Sequence, residues 1–420
     1  MKFLHVADVH LDSPLRGLDR YDGAPAAEIR IATRSALENL VALAIEEEVD
    51  FVVMAGDLFD GDWPDFNTGL FFAHQMSRLS KEGIAVYVIR GNHDAESKIS
   101  RKLPWPDNVH FFSSKNPESV AIESLGVVLH GQSFTTPKVM DDLAQGYPAA
   151  DFGKINIGVL HTSLDGRPGH AVYAPTRFDV LRSKGYDYWA LGHVHRREVV
   201  SQDPWIVYPG NVQGRHIKEI GSKGCELVIV ENGGLRTEHR PLDVLRWEVL
   251  DIGIGGAADL DEVLARTASA FDGAIAKAGD RLIGVRVQIS GSGDAHVEIA
   301  AQPETMRQQV RALAIERGSG ALWVEKITIK TAADIDISVV KTGNDPISEL
   351  VCEFEAAKAD GGTMLGSLAE ELQSLRQKLP AELTEMDDGI QVGNPDYLRK
   401  ILAEVEPQLL SRIMKIKAGA

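Results

Sequence analysis

Five times in the first half of the chain, a short β-rich apolar run ends in a cluster of oxygen and nitrogen donors. The clusters are Asp8-Val9-His10, Gly56-Asp57-Leu58-Phe59-Asp60, Gly91-Asn92-His93-Asp94, Leu160-His161 and Gly192-His193-Val194-His195. Strand ends in an α/β sandwich lie side by side, so donors far apart in sequence converge at one edge of the sheet, where such folds commonly place ligands. A metal site is the economical reason to collect them. A single isolated histidine is more often a satisfied core or surface residue; five ordered clusters reverse that expectation. His5, His74, His110 and His130 lack the context and read as structural.

The runs themselves predict strands over Lys2–Ala7, Phe51–Ala55, Ala85–Ile89, Gly126–Leu129, Ile155–Leu160, Tyr188–Leu191 and Trp205–Tyr208. Leu37, Leu40, Val41, Ala44 and Ile45 share one face of a helix between the first two, and Asn67 or Thr68 is placed to cap another. The alternation of strands and helices is that of an α/β sandwich with helices packed on sheets. After about Pro241 the texture changes to an α+β module, with strands over Trp247–Ile252, Leu282–Ile289 and Val324–Ile329 and helices over Leu260–Ala276 and Thr305–Ile315. From Pro346 the pattern is helical: Gly361-Gly362 breaks the chain, and Leu365, Leu368, Leu372, Leu375 and Leu379 follow at helical spacing. A last helix runs from about Pro395 to Met414.

At 420 residues the chain exceeds what one hydrophobic core usually organises. No apolar run free of charge is long enough to cross a membrane, and the opening MKFLHVADVHL carries Asp8 and two histidines, as a buried first strand does and a signal peptide does not. A cytoplasmic protein is the expectation. Cys225 and Cys352 are too few and too distant for a disulfide framework or zinc knuckle and read as reduced thiols. The net charge of −17 argues against a general electrostatic grip on nucleic acid, so any such contact is local. Arg90, Lys98, Arg101, Lys102, Arg167, Arg196, Arg197, Arg215 and Lys218 stand near the clusters, as a contact surface or simply as solvated charges.

Within Asp8-Val9-His10 and His193-Val194-His195 the donors lie two apart, so in an extended strand both point the same way. Gly56 and Gly91 precede the acidic and amide donors, where a missing side chain lets the backbone turn sharply. Mixed Asp, Asn and His donors suit manganese, iron or zinc better than calcium or a structural zinc.

These residues, in this order, resemble the calcineurin-like metallophosphoesterase family, with its pattern DxH, GDxxD, GNHD/E, H and GHxH. The resemblance implies a four-layer α/β/β/α sandwich over residues 1–242, a small α+β capping domain over 243–340 and a C-terminal helical segment over 341–420, a candidate for partner binding. It implies one divalent ion held by Asp8, His10, Asp57 and His195 and a second by Asp57, Asn92, His161 and His193, with Asp57 shared. His93 would contact the scissile phosphate or protonate the leaving oxygen. Two cations roughly 3.5–4 Å apart lower the pKa of a nucleophilic water and neutralise phosphate oxygens. An imidazole acid adds about 10²–10⁴-fold when the leaving group is an alkoxide. Asp60 is placed to orient His93 and keep it protonated.

The segments HVADVHLDSPL, AGDLFDG, RGNHD, LGHVHRRE and YPGNVQGRH look like the SbcD and YhaO branch of DNA-repair exonucleases in that family. That similarity implies manganese-dependent nuclease activity on DNA and a partner ATPase of the SMC type with a long coiled coil, and leaves a homodimer open. Arg196, Arg215 and His216 are the substrate-binding candidates. One residue departs: the branch usually has histidine where this chain has Asp60, the residue of the wider phosphatase-like family. A small-molecule or nucleotide phosphodiesterase and a non-catalytic regulatory subunit are the alternatives.

Overall fold

The computed structural model describes residues 1–13, 25–61, 66–96, 105–166, 172–334, 346–359, 363–378 and 390–418. They form two compact units, Met1–Glu248 with Ala278–Gly284, and Val249–Lys277 with Val285–Ala420.

The first unit contains two six-stranded sheets. β1 (Lys2–Val6), β2 (Phe51–Ala55), β3 (Ala85–Ile89) and β4 (Val109–Phe111) run parallel in that order. Antiparallel β11 (Gly224–Glu231) and β12 (Gly234–Pro241) extend the β1 edge. In the second sheet β6 (Val127–Gly131), β7 (Ile155–His161), β8 (Tyr188–Gly192) and β10 (Trp205–Tyr208) are parallel, flanked by β5 (Glu118–Ile122) and β9 (Glu198–Gln202). The central strands are apolar throughout because both of their faces are covered. Phe3, Phe51 and Val53 face Leu129, Ile157 and Val159 across the space between the sheets. Leu4, Val52 and Met54 pack with Leu37, Leu40 and Val41 of α1 (Ala26–Glu46) and Phe72, Met76 and Leu79 of α2 (Asn67–Lys81). Beyond the second sheet, Trp189, Leu191 and Ile206 pack with Tyr147, Leu181 and Tyr186, in part from the short α4 (Phe178–Ser183). Each buried leucine or phenylalanine contributes about 1.5–3 kcal/mol.

Neither Asn67 nor Thr68 caps α2. Phe66 holds the N-cap position without a side-chain bond, and the Thr68 hydroxyl donates to Asp12 Oδ2 at 2.7 Å. Asp12 also accepts both Arg34 Nε and Nη2, so the hydroxyl ties the loop after β1 to both helices. Strands β4, β5, β9, β11 and β12 have no counterpart among the sequence expectations. Most are edge or near-edge strands with polar residues, and β11 interrupts its apolar pattern with the buried Glu226, whose charge is matched by Arg197.

A three-stranded sheet, β13 (Leu245–Gly253), β14 (Leu282–Ser292) and β15 (Leu322–Ala332), with α5 (Leu260–Ala278) and α7 (Pro303–Gly318), falls for the most part in the second unit. Val263, Phe271, Val285, Val287, Ile289, Met306 and Val310 are buried. A short α6 (His296–Ala301) is additional to the sequence expectations. Helices over Pro346–Ala359, Thr363–Glu371, Gln373–Lys378 and Pro395–Ala418 follow in the same unit. The leucine stripe does not form one continuous buried face: the helix breaks at Leu372, Leu365 is buried and Leu375 is exposed. Gly361, Gly362 and Leu379 lie outside the described residues. No helix among the described residues is long and apolar enough to cross a membrane.

Candidate metal centre

β1, β2 and β3 of one sheet and β7 and β8 of the other carry the five clusters at their C-terminal ends, where open α/β sheets place their ligands. The donors are not presented by extended backbone. Asp8, His10, Asp57 and His193 have φ of 53°, 46°, 52° and 100°, so the two-residue spacing of Asp8 and His10 does not act through strand alternation. Left-handed backbone costs about 1–3 kcal/mol per non-glycine residue and persists only where the surroundings over-determine it. Here Asp8 N donates to Gly56 O and His10 N to Asp57 O, both at 3.0 Å, zipping the first two loops together.

Gly56 turns the chain, at φ +92°. Gly91 acts by proximity rather than by a turn: a Cβ there would stand 2.2 Å from Asp57 Oδ1. Asp94 supports the same corner, its buried carboxylate accepting the backbone N–H groups of Leu58, Phe59 and Gly91.

Three donor groups result among the described residues: Asp8 with His10 and His195, Asp8 with Asp57 and His161, and His10 with Asp60 and His93. His161 Nδ1 donates to Ala55 O at 2.9 Å, which leaves Nε2 facing Asn92 Oδ1 at 3.0 Å and Asp57 Oδ2 at 3.4 Å. His195 Nδ1 donates to Glu219 Oε1 at 2.7 Å, leaving its Nε2 only 3.2 Å from His10 Nε2 and 3.7 Å from Asp8 Oδ1. His10 Nε2 is also 3.9 Å from Asp57 Oδ2. Lone pairs turned toward one another in a buried space repel unless a cation stands among them, so the donor set fits divalent metal. His193 is held through its backbone N–H, which donates to Asp8, and its ring lies 5.2 Å from that of His161.

The electrostatics agree. Burial, with Arg215 adding to it, pulls the His10 imidazole down to about 3, so it is a neutral donor. Burial opposes charge on His161 as well, but Asp57 and Asp8 outweigh it and hold that imidazole up at about 9. A cation binding there would displace that proton. Burial disfavours the Asp57 carboxylate, yet His161, His10 and His93 hold it well below the usual carboxylate range.

His93 Nδ1 lies 2.8 Å from Asp60 Oδ1 on the more open side of the site. Burial lowers its pKa, and the Asp60 hydrogen bond with the charges of Asp57 and Asp60 raises it further, to about 9. Asp60 also accepts the Ser13 hydroxyl at 2.6 Å and stands 3.8 Å from Arg215 Nη1. Arg215 is therefore at the site, while Arg196 and His216 are exposed beside it. Arg197 is committed to Glu226, and Arg90 lies over the Phe111 ring at 4.7 Å. Lys98, Arg101, Lys102 and Arg167 lie outside the described residues.

Residues 1–197 match the family described as Calcineurin-like phosphoesterase, and residues 247–332 match Metallophosphoesterase YhaO, middle domain. The chain is 38% identical over 275 residues to Uncharacterized metallophosphoesterase YhaO of Bacillus subtilis strain 168, covering 64% of this chain and 67% of that one. The chain belongs to the calcineurin-like metallophosphoesterase family. Among solved structures it is similar to a dimetal phosphatase from Danio rerio, with a TM-score of 0.38, 13% identity, and coverage of 58% of this chain and 96% of that one. As a metallophosphoesterase it is a metal-dependent phosphoester hydrolase, and its clustered donors are of the kind that hold divalent metal. Two groups of this metallophosphoesterase site escaped sequence reading. Ser13 lies within the HVADVHLDSPL segment but has no role assigned by it. Glu219 stands beyond the last cluster, and only the fold brings it to His195.

Proposed function

We propose that the chain is a manganese-dependent DNA nuclease of a DNA-repair complex. Asp8, His10, Asp57 and His195 would hold one ion, and Asp57, Asn92, His161 and His193 the other. When bound, such ions supply an activated water and neutralise the phosphate oxygens. Asp60 holds His93 protonated, and His93 donates its proton to the oxygen that leaves. The observation that carries this reading is the pairing of His93 with Asp60 at 2.8 Å, with the imidazole charged at neutral pH. A protonated acid serves a poor alkoxide leaving group such as a deoxyribose oxygen, and contributes about 10²–10⁴-fold. DNA as the substrate is supported by the motif resemblance to the repair branch.

A coiled-coil ATPase of the SMC type is the partner we propose, docking on the helices after Pro346 in a cytoplasmic complex. Deleting those helices should leave metal binding intact and abolish co-purification with the ATPase. An unchanged complex would refute the docking site.

The deciding assay is cleavage of end-labelled linear DNA with manganese, comparing wild type, chelated protein and Asp57→Ala. Inertness of the wild type on every DNA form refutes the nuclease. A small-molecule or nucleotide phosphodiesterase is the second reading, favoured by Asp60 at the position of the phosphatase-like pattern and by the net charge of −17. Cleavage of cyclic nucleotides or aryl phosphodiesters without cleavage of DNA would establish it.

A further inference from the structure

Glu219 lies outside every motif, yet its buried carboxylate makes four short contacts. Oε1 accepts His195 Nδ1 at 2.7 Å and Arg215 Nη2 at 3.0 Å, and Oε2 accepts the Arg215 backbone N–H at 2.7 Å and Asn211 Nδ2 at 2.9 Å. The backbone of the histidine is held from the same segment, since Lys223 Nζ donates to His195 O at 2.8 Å and Asn211 N to the same oxygen at 3.3 Å. An imidazole is a ligand only through an unprotonated nitrogen, and a carboxylate on the other nitrogen decides which one that is.

We propose that Glu219 is a positioning residue for the ion held by Asp8, His10 and His195, fixing His195 with its proton on Nδ1 and its Nε2 turned into the site. The role is independent of the substrate and rests only on the ligand assignment. Arg215 sits against the carboxylate so that its charge is balanced in the low-dielectric interior. An amide cannot replace it: four donors surround the two oxygens, so the NH2 group of a glutamine would meet a donor whichever way it is turned.

The test is manganese titration of chelator-treated full-length protein, by calorimetry and by the electron paramagnetic resonance of bound manganese. In Glu219→Gln one of two ions should bind about 10–100-fold more weakly, as loss of such an outer partner does. The other ion and the melting temperature of the metal-free protein should change little. In a His195→Ala background the same substitution should have no further effect on affinity, because the two residues act as a unit. Should Glu219→Gln not fold, Asn211→Ala withdraws one donor from Oε2 and should weaken the same ion several-fold. Wild-type affinity for both ions, equal weakening of both, or an additive loss in the His195→Ala background would overturn the proposal. A wild type that binds no manganese would instead overturn the ligand assignment on which it stands.

Discussion

Asp60 Oδ1 lies 2.8 Å from His93 Nδ1, and the same carboxylate accepts the Ser13 hydroxyl, so the imidazole is held by a residue three positions beyond Asp57. His93→Ala should lower kcat by about 10²–10⁴-fold on an alkyl phosphodiester, and by much less on an aryl ester whose leaving group needs no proton. Metal content should be unchanged. Equal losses on both ester types would remove the acid role. The charged form of His93 is present below about pH 9 and lost as pH rises through that value. Asp60→Asn should therefore move the alkaline limb of kcat to lower pH, which a rate profile between pH 6 and about 10 would read.

Asp57 touches both sides of the centre, His161 at 3.4 Å and His10 at 3.9 Å. Asp57→Ala should reduce hydrolysis to background and lower the metal content measured by mass spectrometry. Retained activity with full metal content would contradict its bridging position.

Gly91→Ala isolates geometry from ligand chemistry, because it removes no donor and places a methyl 2.2 Å from Asp57 Oδ1. Displacing that carboxylate by even 1 Å should cost about 10²-fold in rate, with circular dichroism unaltered. Wild-type turnover would show that the loop yields without moving the carboxylate.

His5 joins the two sheets, with Nδ1 2.9 Å from the Tyr188 hydroxyl and Nε2 3.1 Å from Leu191 O. Burial, against smaller opposing effects of Glu226 and the Leu191 carbonyl, lowers its pKa from 6.5 to about 4. The unfolded chain takes up the proton first as pH falls. Stability from the neutral ring is thus present above about pH 6.5 and declines down to about pH 4, by at most about 3 kcal/mol. Urea midpoints of wild type should fall more steeply over this interval than those of His5→Gln. Parallel slopes would mean that His5 contributes nothing to acid sensitivity.

Much of the architecture was legible because local pattern carries it. The seven expected strands and the long helix over Ala26–Glu46 follow from apolar runs and a single apolar face. The strands that escaped notice, such as β11 with Glu226 at its centre, depend on partners elsewhere, since Arg197 and His239 make a buried carboxylate tolerable there. The cap assigned to Asn67 or Thr68 failed for the same reason: Asp12, distant in sequence, draws the Thr68 hydroxyl away.

The sequence by itself determined which atoms this centre offers, because the choice of Asp, Asn and His at five strand ends is a matter of covalent chemistry and needs no neighbour to be read. Only the tertiary structure decided how those atoms are aimed. The left-handed turns at Asp8, His10 and Asp57 are held by hydrogen bonds between loops, and the lone pair of His195 is directed by a carboxylate more than twenty residues away. Orientation is set by long-range contacts that exist only once both sheets have packed, whereas donor identity is written residue by residue.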